Sequence, residues 1–525
     1  MNYARVNTLC LPPGKEARIV LVEATVRKGL PGFQIAGLGS ARESASRIRQ
    51  ALQSSRVSVP YAALMVHLGP ADLPKKGGQY DLAVAAGLIL ALSAALPGSL
   101  LGEPDELMAE DTVFLGELTL SGAVQPVAGI LALLRGARSL GMRRVVLPRD
   151  NLPEAGLVPD LQLIPIGHVR ELIEEPGQAP APPRPAPRLV GGRPPLMAAG
   201  LRLTRAQIRA LSVAASGRHS LLLIGPPGSG KTSLARLLPA LLPPPDQEEC
   251  LEILIHAPRT EPVVSLLDDA HTGAPPEDGQ RNEPVWSVTR PLRHPHHSVT
   301  DAALIGGGHP PVPGEITRAH HGILLCDELA EFSRSALQHL REPLEEGRIH
   351  LSRGTEGATY PARFLFVATT NPCPCGYAGF GKCVCSGAER TKYLSRLLGP
   401  LRDRIDMELI VDRESGERVA PPPRWAERIL RAVRLQTERY RNTPYRFNAD
   451  VSPGDLDRYC DVREALEDEA CMEALERSGS FRKWDRIRRL ARTVADLDGA
   501  ARIRPADLLE AFSYRCLDDF WKENP

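Results

Sequence analysis

The 525-residue sequence has almost no charge excess: 64 Lys and Arg stand against 63 Asp and Glu, a formal net charge of +1. A global field drawing the protein to a polyanion is therefore excluded, and any such partner must be met by local basic patches. The chain also lacks an apolar run of membrane length. Its longest, Leu82–Leu96, is short and rich in small residues. The opening MNYARVNTLCLPPGKEARIV has no apolar core of a secretory signal, so a cytoplasmic protein without a membrane partner is expected. No internal repeat is present, and the length exceeds one comfortable core, which predicts two to four domains. The chain has ten cysteines, and in a reducing compartment clustered ones are expected to act as metal ligands or redox groups rather than structural disulfides.

Proline, by contrast, is plentiful and marks a boundary. EEPGQAPAPPRPAPRLVGGRPP (174–195) blocks helix and sheet continuation and reads as an extended spacer. The expected layout is an N-terminal α/β domain over 1–172, a Pro-rich linker over 173–198, a nucleotide-binding α/β core over 199–423 and a C-terminal helical lid over 424–525. In the first domain, Ala17–Val22 and Ala63–His67 read as strands, and Ala41–Ser54 and Leu131–Leu140 as helices. In the core, LLLIG (221–225), ILLC (323–326) and FLFVATT (364–370) suit a mostly parallel buried sheet. The lid is expected to hold the helices DVREALEDEACMEALERS (461–478) and FRKWDRIRRLARTVADL (481–497).

GPPGSGKT (225–232) follows a predicted strand and precedes a helical LARLLPALL. Gly225, Pro226, Pro227, Gly228, Ser229 and Gly230 would wrap the phosphates of ATP in backbone amides. Lys231 would reach the terminal phosphates, and Thr232 would hold Mg²⁺. Hydrolysis also needs acidic groups on a neighbouring strand end, which ILLCDE (323–328) supplies: Asp327 for the metal and Glu328 to activate water. Asn371, closing FLFVATTN, can orient water or phosphate. Arg404, with Arg402 or Arg396 as alternatives, is the candidate finger toward a neighbouring subunit's γ-phosphate, and Arg482 is the candidate third sensor.

NPCPCGYAGFGKCVCS (371–386) interrupts this machinery with two Cys-x-Cys pairs, Cys373 with Cys375 and Cys383 with Cys385. Four thiolates suit a tetrahedral structural Zn²⁺, although Cys-x-Cys is tighter than the common Cys-x₂-Cys. Unligated or redox-active thiols and disulfides are the alternatives. Two segments are candidates for DNA contact. GRIHLSRGTEGATYPARF (347–364) reads as a hairpin carrying Arg348, His350, Arg353 and Arg363, or else as a structural edge. LRHPHHSVTDAALIGGGHPP (292–311) offers glycines for a mobile loop, Leu304 or Ile305 as wedges, and His294, His296 and His297 for loop structure or phosphate contact, a metal role lacking a clear fourth ligand.

The order GPPGSGKT, LRHPHHSVTDAALIGGG, PGEITRAHHGILLCDELAEF (313–332), ATTNPCPCG (368–376) and GPLRDRID (399–406) resembles the magnesium-chelatase-like branch of the AAA+ ATPases, and more closely the ComM/YifB family. The resemblance extends to GLPGFQIAGLG (29–39) and PADLPKKGGQYDLAVAAG (70–87). It implies a homo-oligomer, expected to be a hexameric ring, similar to helicases that drive branch migration on single-stranded or branched DNA during recombination and integration of transforming DNA. The alternative within that branch is an ATPase that remodels a protein partner. Residues 114–151 resemble the proteolytic, ribosomal S5-like domain of Lon proteases, which use a serine activated by a lysine. Alignment puts Asp81 near the serine position and Leu131 near the lysine position, so a retained fold without peptidase chemistry is expected.

Overall fold

The computed structural model describes residues 2–27, 29–57, 59, 61–93, 109–173, 188–196, 201–257, 264–267, 285–309, 311–353, 356–381, 383–398, 401–412, 416–478, 481–515, 517 and 520–521. Most of the expected linker, together with Gly354, Thr355, Gly399 and Pro400, lies outside them. The chain divides into two compact units, Met1–Leu189 with Ser265–Ser287, and Val190–Val264 with Val288–Pro525.

The first unit is built on a seven-stranded mixed sheet. In chain order its strands are β1 (Asn2–Cys10), β2 (Arg18–Arg27), β3 (Gly32–Ala36), β4 (Ala63–Gly69), β5 (Thr112–Phe114), β6 (Arg144–Pro148) and β7 (Gln162–Ile166), arranged β3-β4-β2-β1-β5-β6-β7. Strict alternation along β2 turns Val20, Val22, Ala24 and Val26 inward. Against that face lies α2 (Asp81–Ser93), apolar all round and correspondingly buried, whereas α1 (Ala41–Ser54) buries one stripe, including Ile48, Ala51 and Leu52. Helix α2 approaches the sheet closely at Gly87, where a Cβ would meet that of Ala24 at 3.4 Å. Asp81 starts this helix fully buried. Its Oδ2 accepts from Arg47 Nε at 2.6 Å and from the Leu118 N–H at 3.3 Å. Burial raises its pKa, against the pull of Arg47. Leu131 is buried in α3 (Ile130–Ser139), and the Lys75 ammonium donates to the carbonyls of Pro70 and Leu73.

The second unit centres on a parallel five-stranded sheet. In chain order its strands are β8 (Leu221–Ile224), β9 (Leu292–Arg293), β10 (Ile323–Cys326), β11 (Leu365–Thr370) and β12 (Met407–Ile410), arranged β9-β10-β11-β8-β12. Alternate residues feed two cores. Leu221, Leu223, Leu325 and Val367 face one, and Leu222, Ile224, Leu324 and Phe366 the other. The helix expected after GPPGSGKT as one piece is two, α4 (Lys231–Ala235) and α5 (Leu238–Leu241). Pro239 has no N–H to continue the ladder and its ring crowds the preceding turn.

The C-terminal helices pack on the same unit's parallel sheet. Trp425 and Ile429 of α6 (Trp425–Arg439), Ile487, Leu490 and Val494 of α7 (Phe481–Leu497), and Leu508 of α8 (Pro505–Ser513) share one core with the sheet residues Leu221, Leu223 and Met407. The apolar stripe of α7 needs an apolar partner, which the Ala-rich helix Arg205–Gly217 provides. The 461–478 helix is shorter than expected. It begins at Glu469, where the Asp468 carboxylate caps the N–H groups of Ala470 and Cys471 at 3.0 and 3.2 Å. The expected hairpin is present, Arg348–Arg353 pairing antiparallel with Glu356–Pro361. Its inner face buries Ile349, Leu351, Ala358 and Tyr360, leaving Arg348, His350 and Thr359 exposed.

Candidate nucleotide and thiol sites

The GPPGSGKT loop joins the end of β8 to α4, so its amides gather at a helix start beside the ends of β10 and β11. Gly228 and Gly230 take the left-handed φ values of 72° and 92° that let the loop curl. Gly225 is required for another reason: a Cβ there would lie 2.0 Å from the Val411 carbonyl oxygen. Lys231 Nζ donates to the carbonyls of Gly225 at 2.8 Å and Pro226 at 2.9 Å, and to Asn371 Oδ1 at 3.1 Å. Burial lowers its pKa, while Asp327 and Glu328 act the other way. The ammonium is thus held in the loop's concavity beside an amide from the neighbouring strand.

The acidic pair follows β10. Thr232 Oγ1 donates to Asp327 Oδ1 at 2.9 Å, bringing together the two residues expected to hold Mg²⁺. A third group, absent from the sequence reading, completes the arrangement. The Thr369 hydroxyl donates to the same Asp327 oxygen at 2.5 Å and accepts the Glu328 N–H at 3.1 Å. Register carries the signal for it, since Cys326 pairs with Ala368 and sets 327 beside 369 across the sheet. Glu328 has a left-handed φ of 54° and an exposed side chain. His294, just beyond β9, places Nε2 4.0 Å from Asp327 Oδ2. Leu304, expected as a wedge, is fully buried in the second core and Ile305 is packed against that core, because Asp301–Ile305 forms a short helix lying on it.

The two named arginines lie elsewhere. Arg404 sits just before β12, at the edge where strands enter the sheet, opposite the edge that carries the GPPGSGKT loop. Its side chain is only 8% exposed and pairs with Glu345 at 2.5 Å. Arg402 instead meets Glu408 at 3.4 Å, and the Arg396 side chain lies outside the described residues. Arg482, at the start of α7, lines the same cleft as Arg404, one of about 660 Å³ that also exposes Arg363 and Arg489. Neither Arg404 nor Arg482 is brought to the Lys231 loop of its own chain. Arg486, one turn along α7, is the residue that sequence reading missed here. It donates to the Arg404 carbonyl at 3.1 Å and pairs with Asp406. Although burial pushes the Asp406 carboxyl up, Arg486 and His219 hold it well below its ordinary range. Ser220 bonds the same carboxylate through its N–H and hydroxyl, both at 2.9 Å, so the Arg404 turn is tied to both the lid and the sheet.

All four expected thiols converge. The Cys373, Cys375, Cys383 and Cys385 sulfurs lie within 4.8 Å of one another. Cys373 is 3.4 Å from Cys375 and 3.7 Å from Cys383, and Cys375 is 3.7 Å from Cys383. Around a zinc ion with bonds of about 2.3 Å, tetrahedral sulfurs stand about 3.8 Å apart, so the donor set and spacing fit that metal. Backbone N–H groups reach two of the sulfurs: Ala378 donates to Cys373 Sγ at 3.2 Å and Cys375 to Cys385 Sγ at 3.4 Å. Burial raises the Cys373 thiol and pushes the Cys385 thiol up to about 12, whereas at Cys375 the N–H groups of Val384 and Tyr377 and the neighbouring Cys373 and Cys385 thiols outweigh burial and hold the pKa at about 6.

Comparison with known proteins shows the family. Family profiles described as "Magnesium chelatase, subunit ChlI", "Subunit ChlI of Mg-chelatase" and "Magnesium chelatase, subunit ChlI C-terminal" match residues 201–419, 22–151 and 423–515. The chain is 36% identical to the uncharacterized protein YifB of Salmonella typhimurium, over 96% of both chains. It is 34% identical to competence protein ComM of Haemophilus influenzae, again over 96% of both. A Lon protease of Herpetosiphon aurantiacus shares 28% identity over 170 residues, 30% of this chain and 20% of that one. Among the described residues no helix is long and apolar enough to cross a membrane. With full-length relatives at this identity, the chain belongs to the ComM/YifB family of magnesium-chelatase-like AAA+ proteins.

Proposed function

We propose that the protein is an ATPase whose hydrolysis drives movement or strand exchange on DNA, working as a ring of identical subunits. The observation that carries the ATPase reading is the meeting of Lys231, Thr232, Asp327, Thr369 and Asn371 at one edge of the parallel sheet. The loop amides and Lys231 would hold the polyphosphate. Thr232 and Asp327 would hold Mg²⁺, which supplies charge neutralisation to the β- and γ-oxygens. Glu328 is free to orient a water and take its proton, its backbone being fixed by the Thr369 hydroxyl. Asn371, bonded to Lys231, would orient water or the phosphate.

A ring is supported by the position of Arg404 and Arg482, which cannot serve their own chain's loop from the far edge of the sheet. Across a subunit boundary, Arg404 would leave Glu345 to meet a neighbour's γ-phosphate. The DNA assignment draws on the similarity to competence protein ComM and on Arg348, exposed on the 348–361 hairpin beside His350, whose ring lies 3.7 Å from the Glu342 and Glu346 carboxylates. The thiol cluster would hold a structural Zn²⁺. The test is ATP turnover with and without single-stranded and branched DNA. Several-fold stimulation is expected; an unchanged rate would overturn the DNA reading and leave a protein-remodelling ATPase in its place.

A further inference from the structure

The segment that carries the first thiol pair touches the nucleotide loop at both of its ends. At one end Asn371 accepts from Lys231 Nζ at 3.1 Å. At the other Gly376 lies directly on Pro227 of the loop. A Cβ at this position would stand 2.5 Å from Pro227 Cδ and 2.8 Å from Cγ, and the glycine's φ of 86° closes it further to other residues. Between these two contacts lie Cys373 and Cys375. Their shape depends on the second pair: the Cys375 N–H is satisfied by Cys385 Sγ, and both first-pair sulfurs abut Cys383.

We infer that metal occupancy of the four-thiol site governs nucleotide affinity, the cysteine knob acting as a metal-set clamp on the GPPGSGKT loop. The inference rests on the zinc and ATPase readings above. Four bonds to one ion fix the 373–376 turn, and that turn presses Gly376 on Pro227 while holding Asn371 beside Lys231. With the ion gone, only weak thiol contacts hold the two pairs together, and both contacts with the loop loosen. Coupling between two ligands is reciprocal, so nucleotide must tighten zinc by the same factor that zinc tightens nucleotide.

The test uses the full-length protein and two equilibria. Zinc affinity is measured by competition with a chromogenic chelator, with and without a non-hydrolysable ATP analogue and Mg²⁺. Affinity for a fluorescent form of that analogue is measured on zinc-loaded and zinc-depleted protein. The expected result is an equal shift in both, between about fivefold and about 150-fold, the span of ordinary coupling between sites. The zinc shift should vanish in Lys231→Ala, which separates it from zinc binding to free nucleotide. Gly376→Ala, which keeps all four thiols, should retain one zinc per chain and lose the coupling. Zinc and nucleotide each binding without changing the other would overturn the clamp while leaving both underlying readings intact. A chain that takes up no zinc would overturn the clamp and the zinc reading together, and unchanged coupling in Gly376→Ala would overturn the proposed contact.

Discussion

Thr369→Val removes one hydroxyl with almost no change in shape, from a residue that is 1% exposed. Two bonds go with it: the 2.5 Å donation to Asp327 Oδ1 and the 3.1 Å acceptance of the Glu328 N–H. A hydrogen bond to a charged group contributes about 1.5–3 kcal/mol, and a neutral one about 1 kcal/mol. The backbone of Glu328 already carries a left-handed φ of 54°, a conformation costing a non-glycine residue about 1–2 kcal/mol, which the Thr369 bond helps to offset. Together, about 2–4 kcal/mol of local order is at stake. If about 1.4 kcal/mol of it is lost only in the transition state, kcat falls about tenfold. Nucleotide contacts through Lys231 and the loop amides are untouched, so affinity for an ATP analogue should stay within about twofold of wild type. Turnover and equilibrium binding would be measured on Thr369→Val and on Thr369→Ser, which retains the hydroxyl and should recover most of the rate. An unchanged kcat in Thr369→Val, or a serine variant as slow as the valine one, would refute the positioning role.

Lys231→Ala should abolish measurable nucleotide binding by calorimetry, because the buried counter-charge of the loop is gone; Glu328→Gln should bind ATP normally, turn over at least about a hundredfold more slowly and stay in a larger assembly on size-exclusion chromatography. Arg404→Ala should bind ATP yet fail to hydrolyse it, and mixing it with Lys231→Ala subunits should restore part of the rate if the arginine acts on a neighbour. Burial lowers the His320 pKa to about 3, so this ring stays neutral when folded but gains a proton near its ordinary value of 6.5 when unfolded. Its contribution is therefore present above pH 6.5 and is lost as pH falls toward 3. Between pH 6.5 and pH 5 the loss is about 2 kcal/mol, and a His320→Gln variant should show a correspondingly flatter pH dependence of urea unfolding.

Contiguous signals were legible in the sequence. GPPGSGKT lies between a strand and a helix, and Asp327 follows a four-residue apolar strand. The 348–361 hairpin alternates as its apolar residues require, and the four cysteines meet although they come from two separate pairs. What stayed hidden depends on register and packing across long stretches of chain. Thr369 reaches Asp327 because two parallel strands pair, and Arg486 reaches Asp406 because a lid helix folds back on the sheet's entering edge. Leu304 looked available for a wedge until its short helix is seen lying on the second core. The order of motifs alone raised Arg404 and Arg482 as phosphate sensors; the cleft they share at the far edge of the sheet from the Lys231 loop depends on the packing of α7 and has no local signal.

The central claim, coupling of this nucleotide site to rearrangement of DNA, is tested most directly by branch migration on synthetic three- and four-strand junctions. The wild-type protein with ATP and Mg²⁺ should resolve labelled junctions into their strand-exchanged products, whereas Glu328→Gln, or wild type with a non-hydrolysable analogue, should not. Junctions that persist unchanged with the ATP-hydrolysing wild type, or that resolve equally with Glu328→Gln, would contradict it.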